Sequence, residues 1–144
     1  METFREILQD LVAESGLSLR ALAQASGVTA TQYSRYLHHG IPTLPIVLKI
    51  AVYFDCSLDY LFGLDEQRNR GHYHTEHYDV GQLIAKYQQL LADNHTNNRQ
   101  FADANLFHRT IVSHWRQGKE PRLDVLYAMA KNLHGSIDEL VGRE

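Results

Sequence analysis

Three sets of side chains in this 144-residue sequence are spaced so that they could do chemistry. His72, His74 and His77 form H-x-H-x-x-H, and imidazole ligates zinc or nickel. No cysteine accompanies the triplet and Glu76 is the carboxylate within it, so the segment reads as a solvated polar stretch and no metal or other cofactor is expected. Between His108 and Arg122, the cations Arg109, Arg116, Lys119 and Arg122 stand against Glu120. That is a local positive field of the kind that attracts phosphate. Ala30, Thr31, Ser34, Arg35 and His38 recur at spacings of three and four, which puts small polar groups and one arginine on one side of a short helix. Such a surface fits the major groove, where base edges offer donors and acceptors. No Gly-rich phosphate loop, HExxH pair or nucleophile beside paired carboxylates is visible, so an enzyme is not expected.

The elements that must position these groups come in two copies. Sliding the sequence by 79 residues aligns 1–65 with 80–144 without a gap, at 15 identities in 65 positions, Arg20/Arg99, Thr31/Thr110, Ser34/Ser113 and Pro42/Pro121 among them. Each copy predicts five short helices. In the first, Phe4, Ile7, Leu8, Leu11 and Val12 mark an apolar helical stripe, and Gly16 stops it. Ser18 suits an N-cap for the next helix, and Thr29 with Gln32 has capping-box spacing for a third. Gly27 marks the turn between those two. Pro45 suits the first turn of a fourth helix, and Ser57 caps a fifth. In the second copy Ser136 and Glu139 have capping-box spacing, and Trp115, aligned with Tyr36, is expected inside the fold. Alternating β-branched patterns are absent, so the fold class expected is all-α. The divisions read as a first domain over 1–64, a polar linker over 65–79 and a second domain over 80–144.

Bulk properties narrow the class. Net charge is −3, mildly against a nucleic-acid partner, but it is uneven. Residues 1–64 carry four Lys+Arg against six Asp+Glu, and residues 79–144 carry eight of each. On charge alone the second copy is the stronger candidate for DNA. The single cysteine, Cys56, excludes an internal disulfide and suits a reducing cytoplasm, where it reads as a buried thiol. The acidic, amphipathic start from Met1 to Asp10 does not read as a signal peptide. No apolar run approaches the roughly 18 residues of a membrane span, so a cytoplasmic location and no membrane partner are expected.

LSLRALAQASGVTATQYSRYLHHGIPTLPIVLKIAVYFDCSLDYLFG in the first half and QFADANLFHRTIVSHWRQGKEPRLDVLYAMAKNLHGSIDELVG in the second resemble the XRE family, the helix-turn-helix domains of phage repressors and Cro proteins. The resemblance implies two tandem five-helix, lambda-repressor-like domains whose third helices enter the major groove. Carried over residue by residue, the groove-reading positions are Ala30, Thr31, Ser34 and Arg35 in the first half and Arg109, Thr110, Ser113 and His114 in the second. Lys119 and Arg122 would contact the DNA backbone. The implied function is a transcriptional regulator, a repressor of bacterial or phage type, with double-stranded DNA as partner. Two such domains in one chain suit half-sites one helical turn apart, and a homodimer is compatible with them. The alternative is a protein-interaction or dimerisation adaptor, antitoxin-like, that keeps the fold without strong DNA binding. No small-molecule effector is implied. This sequence departs from the family pattern at Leu19 and Asn98, where Gln commonly faces a phosphate. It departs again at Gly40-Ile41, where a cation often follows the glycine, and at Leu106, which stands where the turn glycine belongs.

Overall fold

The computed structural model describes residues 2–68 and 75–143. Among them the chain is all-helical, with ten helices and no strand, divided into two compact units, Met1–His77 and Tyr78–Glu144.

The first unit holds α1 (Glu2–Ser15), α2 (Leu19–Ser26), α3 (Ala30–His38), α4 (Leu44–Phe54) and α5 (Leu58–Leu61). Phe4, Leu8 and Leu11 of α1 point inward, and Phe4 stacks on Phe62 at 4.8 Å between ring centres. The centre is α4, where Leu44, Val47, Leu48, Ile50, Ala51 and Phe54 are all buried. An eight-residue helix such as α2 has no stability of its own in water. It is held through Leu22, its one buried side chain, and by its packing on α3 and α4. Burying one such leucine contributes roughly 1.5–3 kcal/mol. The caps fall where the sequence sets them: Ser18 Oγ accepts from the Ala21 N–H, and Ser57 Oγ from the Tyr60 N–H. Cys56 is fully buried.

The second unit holds α6 (Val80–Asp93), α7 (Asn98–Asn105), α8 (Ile111–Arg116), α9 (Leu123–Asn132) and α10 (Ile137–Val141). Leu83, Tyr87 and Leu91 of α6, Phe101 of α7 and Leu126 and Met129 of α9 are all buried, with the Tyr87 and Phe101 rings 6.1 Å apart. Trp115 is buried too, its ring edge-on to Tyr87 at 6.4 Å. Asp138 and Arg143 form a fully buried ion pair at 3.0 Å beside α10.

The segment expected to link the domains is not all free chain. Arg68 donates to the Phe54 carbonyl at 2.7 Å and pairs with Glu14 at 3.4 Å, while the Ser57 N–H donates to the Arg68 carbonyl. Residues 65–68 therefore belong to the first unit. An arginine satisfies the last carbonyl of α4, that of Phe54, a partner that apolar periodicity cannot reveal.

Candidate nucleic-acid interface

The two helices that carry the polar stripe of the first unit are locked together before any ligand arrives. Gly27 ends α2 in the left-handed region at φ 79°, which costs glycine nothing. Thr29 and Gln32 then form the expected capping box, with Thr29 Oγ1 accepting from the Gln32 N–H at 3.1 Å and Gln32 Oε1 accepting from the Thr29 N–H at 2.9 Å. Tyr33 and Tyr36 face the core. The Tyr33 hydroxyl donates to Ser26 Oγ at 2.7 Å, tying α3 to the end of α2. Burial raises the Tyr33 pKa above its ordinary value, and the hydrogen bond to Ser26 partly opposes this. Gln9 Nε2 of α1 donates to the Leu37 carbonyl at 2.9 Å, holding the far end of α3.

With those groups turned inward, the opposite side of α3 is left to solvent. Ala30, Thr31, Ser34, Arg35 and His38, joined by Leu19 and His39, line one open concave surface. The Arg35 guanidinium lies 5.5 Å from the Tyr36 ring centre. Its stem crosses Gly40, where a Cβ would come within 3.3 Å of Arg35 Nε and 3.4 Å of its Cγ. Gly40 has φ +90°; glycine both supplies that conformation and leaves room for the arginine. Among the described residues Arg35 has no acidic partner. His38 Nδ1 donates to the Ser34 carbonyl at 2.7 Å, fixing the ring at the end of the helix.

The corresponding groups of the second unit are arranged differently. Arg109 and Thr110, expected on the reading helix, lie in the turn before it, because α8 begins at Ile111. The cause is local. His108 and Ile111 stand where Thr29 and Gln32 make the capping box in the first unit, so neither capping partner is present. Asn98 Nδ2 instead donates to the Arg109 carbonyl at 2.6 Å, while Asn98 Oδ1 accepts from the Tyr87 hydroxyl at 2.6 Å. Arg109 makes a two-point ion pair with Asp103, Nε to Oδ1 at 2.8 Å and Nη2 to Oδ2 at 2.7 Å. Arg109 in turn holds the Asp103 carboxyl below the usual carboxylate range, chiefly through the hydrogen bonds. Ser113 is exposed and His114 half-buried on α8, with His114 Nε2 3.4 Å from Thr110 Oγ1. Lys119 is exposed in the loop that follows, and Arg122 pairs with Asp124 at 3.1 Å.

Leu106 takes the left-handed turn itself, at φ 60°, with 93% of its surface exposed. Asn105 would tolerate that conformation better. Its side chain is already tied to the Phe101 carbonyl at 2.9 Å and to Asn132 at 2.6 Å, so it stays helical.

Of the linker histidines, His72 and His74 lie outside the described residues, and His77 is exposed. Among the described residues no cluster of three or more His, Cys, Asp or Glu could hold a metal ion. None of the described helices is long and apolar enough to cross a membrane.

A helix-turn-helix family model matches residues 8–61. The match runs from α1 to the end of α5, and so puts a helix-turn-helix domain in the first unit. It points to a DNA-binding regulator of transcription. No curated protein and no solved structure matches the chain.

Within the helix-turn-helix domain, the concave face brings together Thr31, Ser34 and Arg35, three of the residues that the sequence picks out. His38 and His39, the pair at the end of α3, line the same face, and Leu19 has a place in its wall. Leu19 is visible in sequence only as a missing glutamine. In the second unit sequence reasoning missed Asp103. It lies six residues before its partner and across a turn, where no helical spacing applies.

Proposed function

We propose that the chain is a sequence-specific DNA-binding transcriptional repressor of bacterial or phage type, reading the major groove with α3 of the first unit. One observation carries this reading: the exposed face of α3 gathers Thr31, Ser34 and an arginine without an acidic partner among the described residues into one concave surface, on the segment that matches the helix-turn-helix family. Arg35 would grip a guanine edge, and Thr31 and Ser34 would address neighbouring bases. His38 and His39 at the C-terminal end of α3 would lie near phosphate. The protein works by binding rather than by catalysis, in the cytoplasm, and needs no cofactor.

The second unit we read as a duplicate of the first, on the gapless 79-residue repeat and the same succession of five helices. Its charge favours DNA, since Lys119 and Arg116 are exposed. Its geometry favours a partner or dimerisation role: Arg109 is engaged by Asp103, Asn98 is occupied at both ends of its amide, and α8 has six residues against nine in α3.

The test is selection of duplexes from a random pool by the full chain, followed by a salt series on the enriched sequence. A repressor of this kind enriches a defined motif and loses affinity steeply as salt rises, with log K linear in log salt. Failure to enrich any sequence at low salt refutes DNA reading and leaves the adaptor.

A further inference from the structure

The concave face of the first unit changes character along its length. Along α3, Ala30 and Thr31 come first and Ser34, Arg35 and His38 follow, with Leu19 from the start of α2 and His39 in the same lining. Leu19 is half-buried at the start of α2 and Ala30 half-buried at the start of α3. Both side chains are hydrocarbon, and the Thr31 methyl extends the patch. The patch carries one side-chain donor, the Thr31 hydroxyl. A glutamine in place of Leu19 would add an amide there; the leucine instead leaves an apolar wall beside the groove-facing helix.

The major groove has one apolar feature on its base edges, the C5 methyl of thymine. From Thr31 to Arg35 the helix rises by about 6 Å at ~1.5 Å per residue, about two base-pair steps at roughly 3.4 Å each. The apolar patch and Arg35 therefore fall on different base pairs of one site. We infer that Leu19, with Ala30 and the Thr31 methyl, is a specificity determinant that selects a thymine methyl within a few base pairs of the guanine gripped by Arg35. This rests on the first unit being the DNA reader and adds what that reader selects. 5-Methylcytosine offers the same methyl group, but thymine is the source assigned. Thymine carries its methyl in every duplex, whereas cytosine gains one only by modification, and the thymine O4 accepts from a hydroxyl such as that of Thr31.

The experiment uses the full chain and a duplex enriched from a random pool. Each thymine in the bound sequence is replaced singly by deoxyuridine, which removes the methyl and keeps the pairing. At one position near the guanine, affinity for the wild-type protein should fall about four-fold, the ~0.8 kcal/mol of one buried methyl taken at about 1.4 kcal/mol per tenfold. Leu19→Gln and, separately, Thr31→Ser should shrink that thymine-over-uracil ratio towards one. Both positions are partly or fully exposed and both replacements suit a helix, so either can report if the other binds poorly. Replacing the same base pair by 5-methylcytosine with guanine should bind more weakly than thymine with adenine; equal binding overturns the assignment to thymine. Equal affinity for thymine and uracil at every position overturns the inference while the motif itself still stands. A ratio unchanged in both variants overturns the role of these residues. Enrichment of no sequence at all refutes the DNA reading beneath them.

Discussion

Arg109 and Asp103 meet in a two-point ion pair across the turn between α7 and α8, at 2.8 and 2.7 Å. An exposed pair of this kind contributes little to stability, but it sets what the second unit can offer to DNA. The cation that charge counting assigns to the groove is already matched by a carboxylate, and that carboxylate would itself face the phosphates. Arg35 in the first unit has no acidic partner among the described residues. Arg35→Ala should therefore cost roughly 1–3 kcal/mol of binding to the selected sequence and relax specificity at its guanine, whereas Arg109→Ala should cost less than 0.5 kcal/mol, about the scatter of a neutral surface change. Fluorescence anisotropy on matched and mismatched duplexes measures both. Equal losses would return the second unit to the role of reader. Asp103→Asn, which frees Arg109, should leave affinity equal or raised; a loss would mean that the ion pair supports binding.

The helices and their stops follow from short-range chemistry, and so they are legible from single residues. Ser18, Thr29, Ser57 and Ser136 all accept the backbone N–H bonds expected of caps, and Gly16 and Gly27 both adopt positive φ. The late start of α8 is legible only by contrast, from His108 and Ile111 standing in the places of Thr29 and Gln32. The pairing of Arg109 with Asp103 and the anchoring of Arg68 on α4 depend on where two helices bring distant side chains, and neither follows a periodic spacing. Charge counting over His108 to Arg122 saw the cations of the second unit but not the acid that engages one of them.

Leu106 is a place where the second unit holds strain without packing in return. At φ 60° and 93% exposure it loses no core contact on replacement, while a left-handed conformation costs a branched residue about 1–2 kcal/mol. Glycine relieves that strain and pays part of it back in unfolded-state entropy. Leu106→Gly should raise stability by about 0.5–1 kcal/mol, read as a higher urea midpoint with unchanged slope. A lower midpoint would mean that Leu106 makes a contact in solution that its exposure does not show.

Gly63 is the opposite case, with both space and conformation against any other residue. Its φ is +77° and a Cβ would sit 2.5 Å from Thr3 Cγ2 on α1. Gly63→Ala should destabilise the first unit by about 2 kcal/mol or more, the sum of left-handed strain and a displaced α1. Thr3→Ser removes the opposing methyl, so the double variant should recover the steric share and keep the conformational one. The check is a double-mutant cycle in urea, where residues in contact couple by about 0.5–3 kcal/mol. Additive losses would show that the two side chains never meet.

Tyr87 gives the second unit a pH dependence at the alkaline end. Its ring is fully buried and its hydroxyl donates to Asn98, and burial pushes the phenol pKa up from 10.0 to about 12. The folded protein keeps a proton that the unfolded chain releases from about pH 10, so stability is complete below that value and falls as pH rises through about 12. The loss, integrated over that interval, approaches about 2 kcal/mol. Tyr87→Phe cannot ionise and cannot support Asn98. It should lose about 1 kcal/mol at neutral pH, the value of one buried hydrogen bond, yet decline less steeply than the wild type above about pH 10. Urea unfolding followed by Trp115 fluorescence, at a series of pH values, compares the two slopes. Parallel slopes would assign the alkaline transition to another group and leave the phenol neutral throughout.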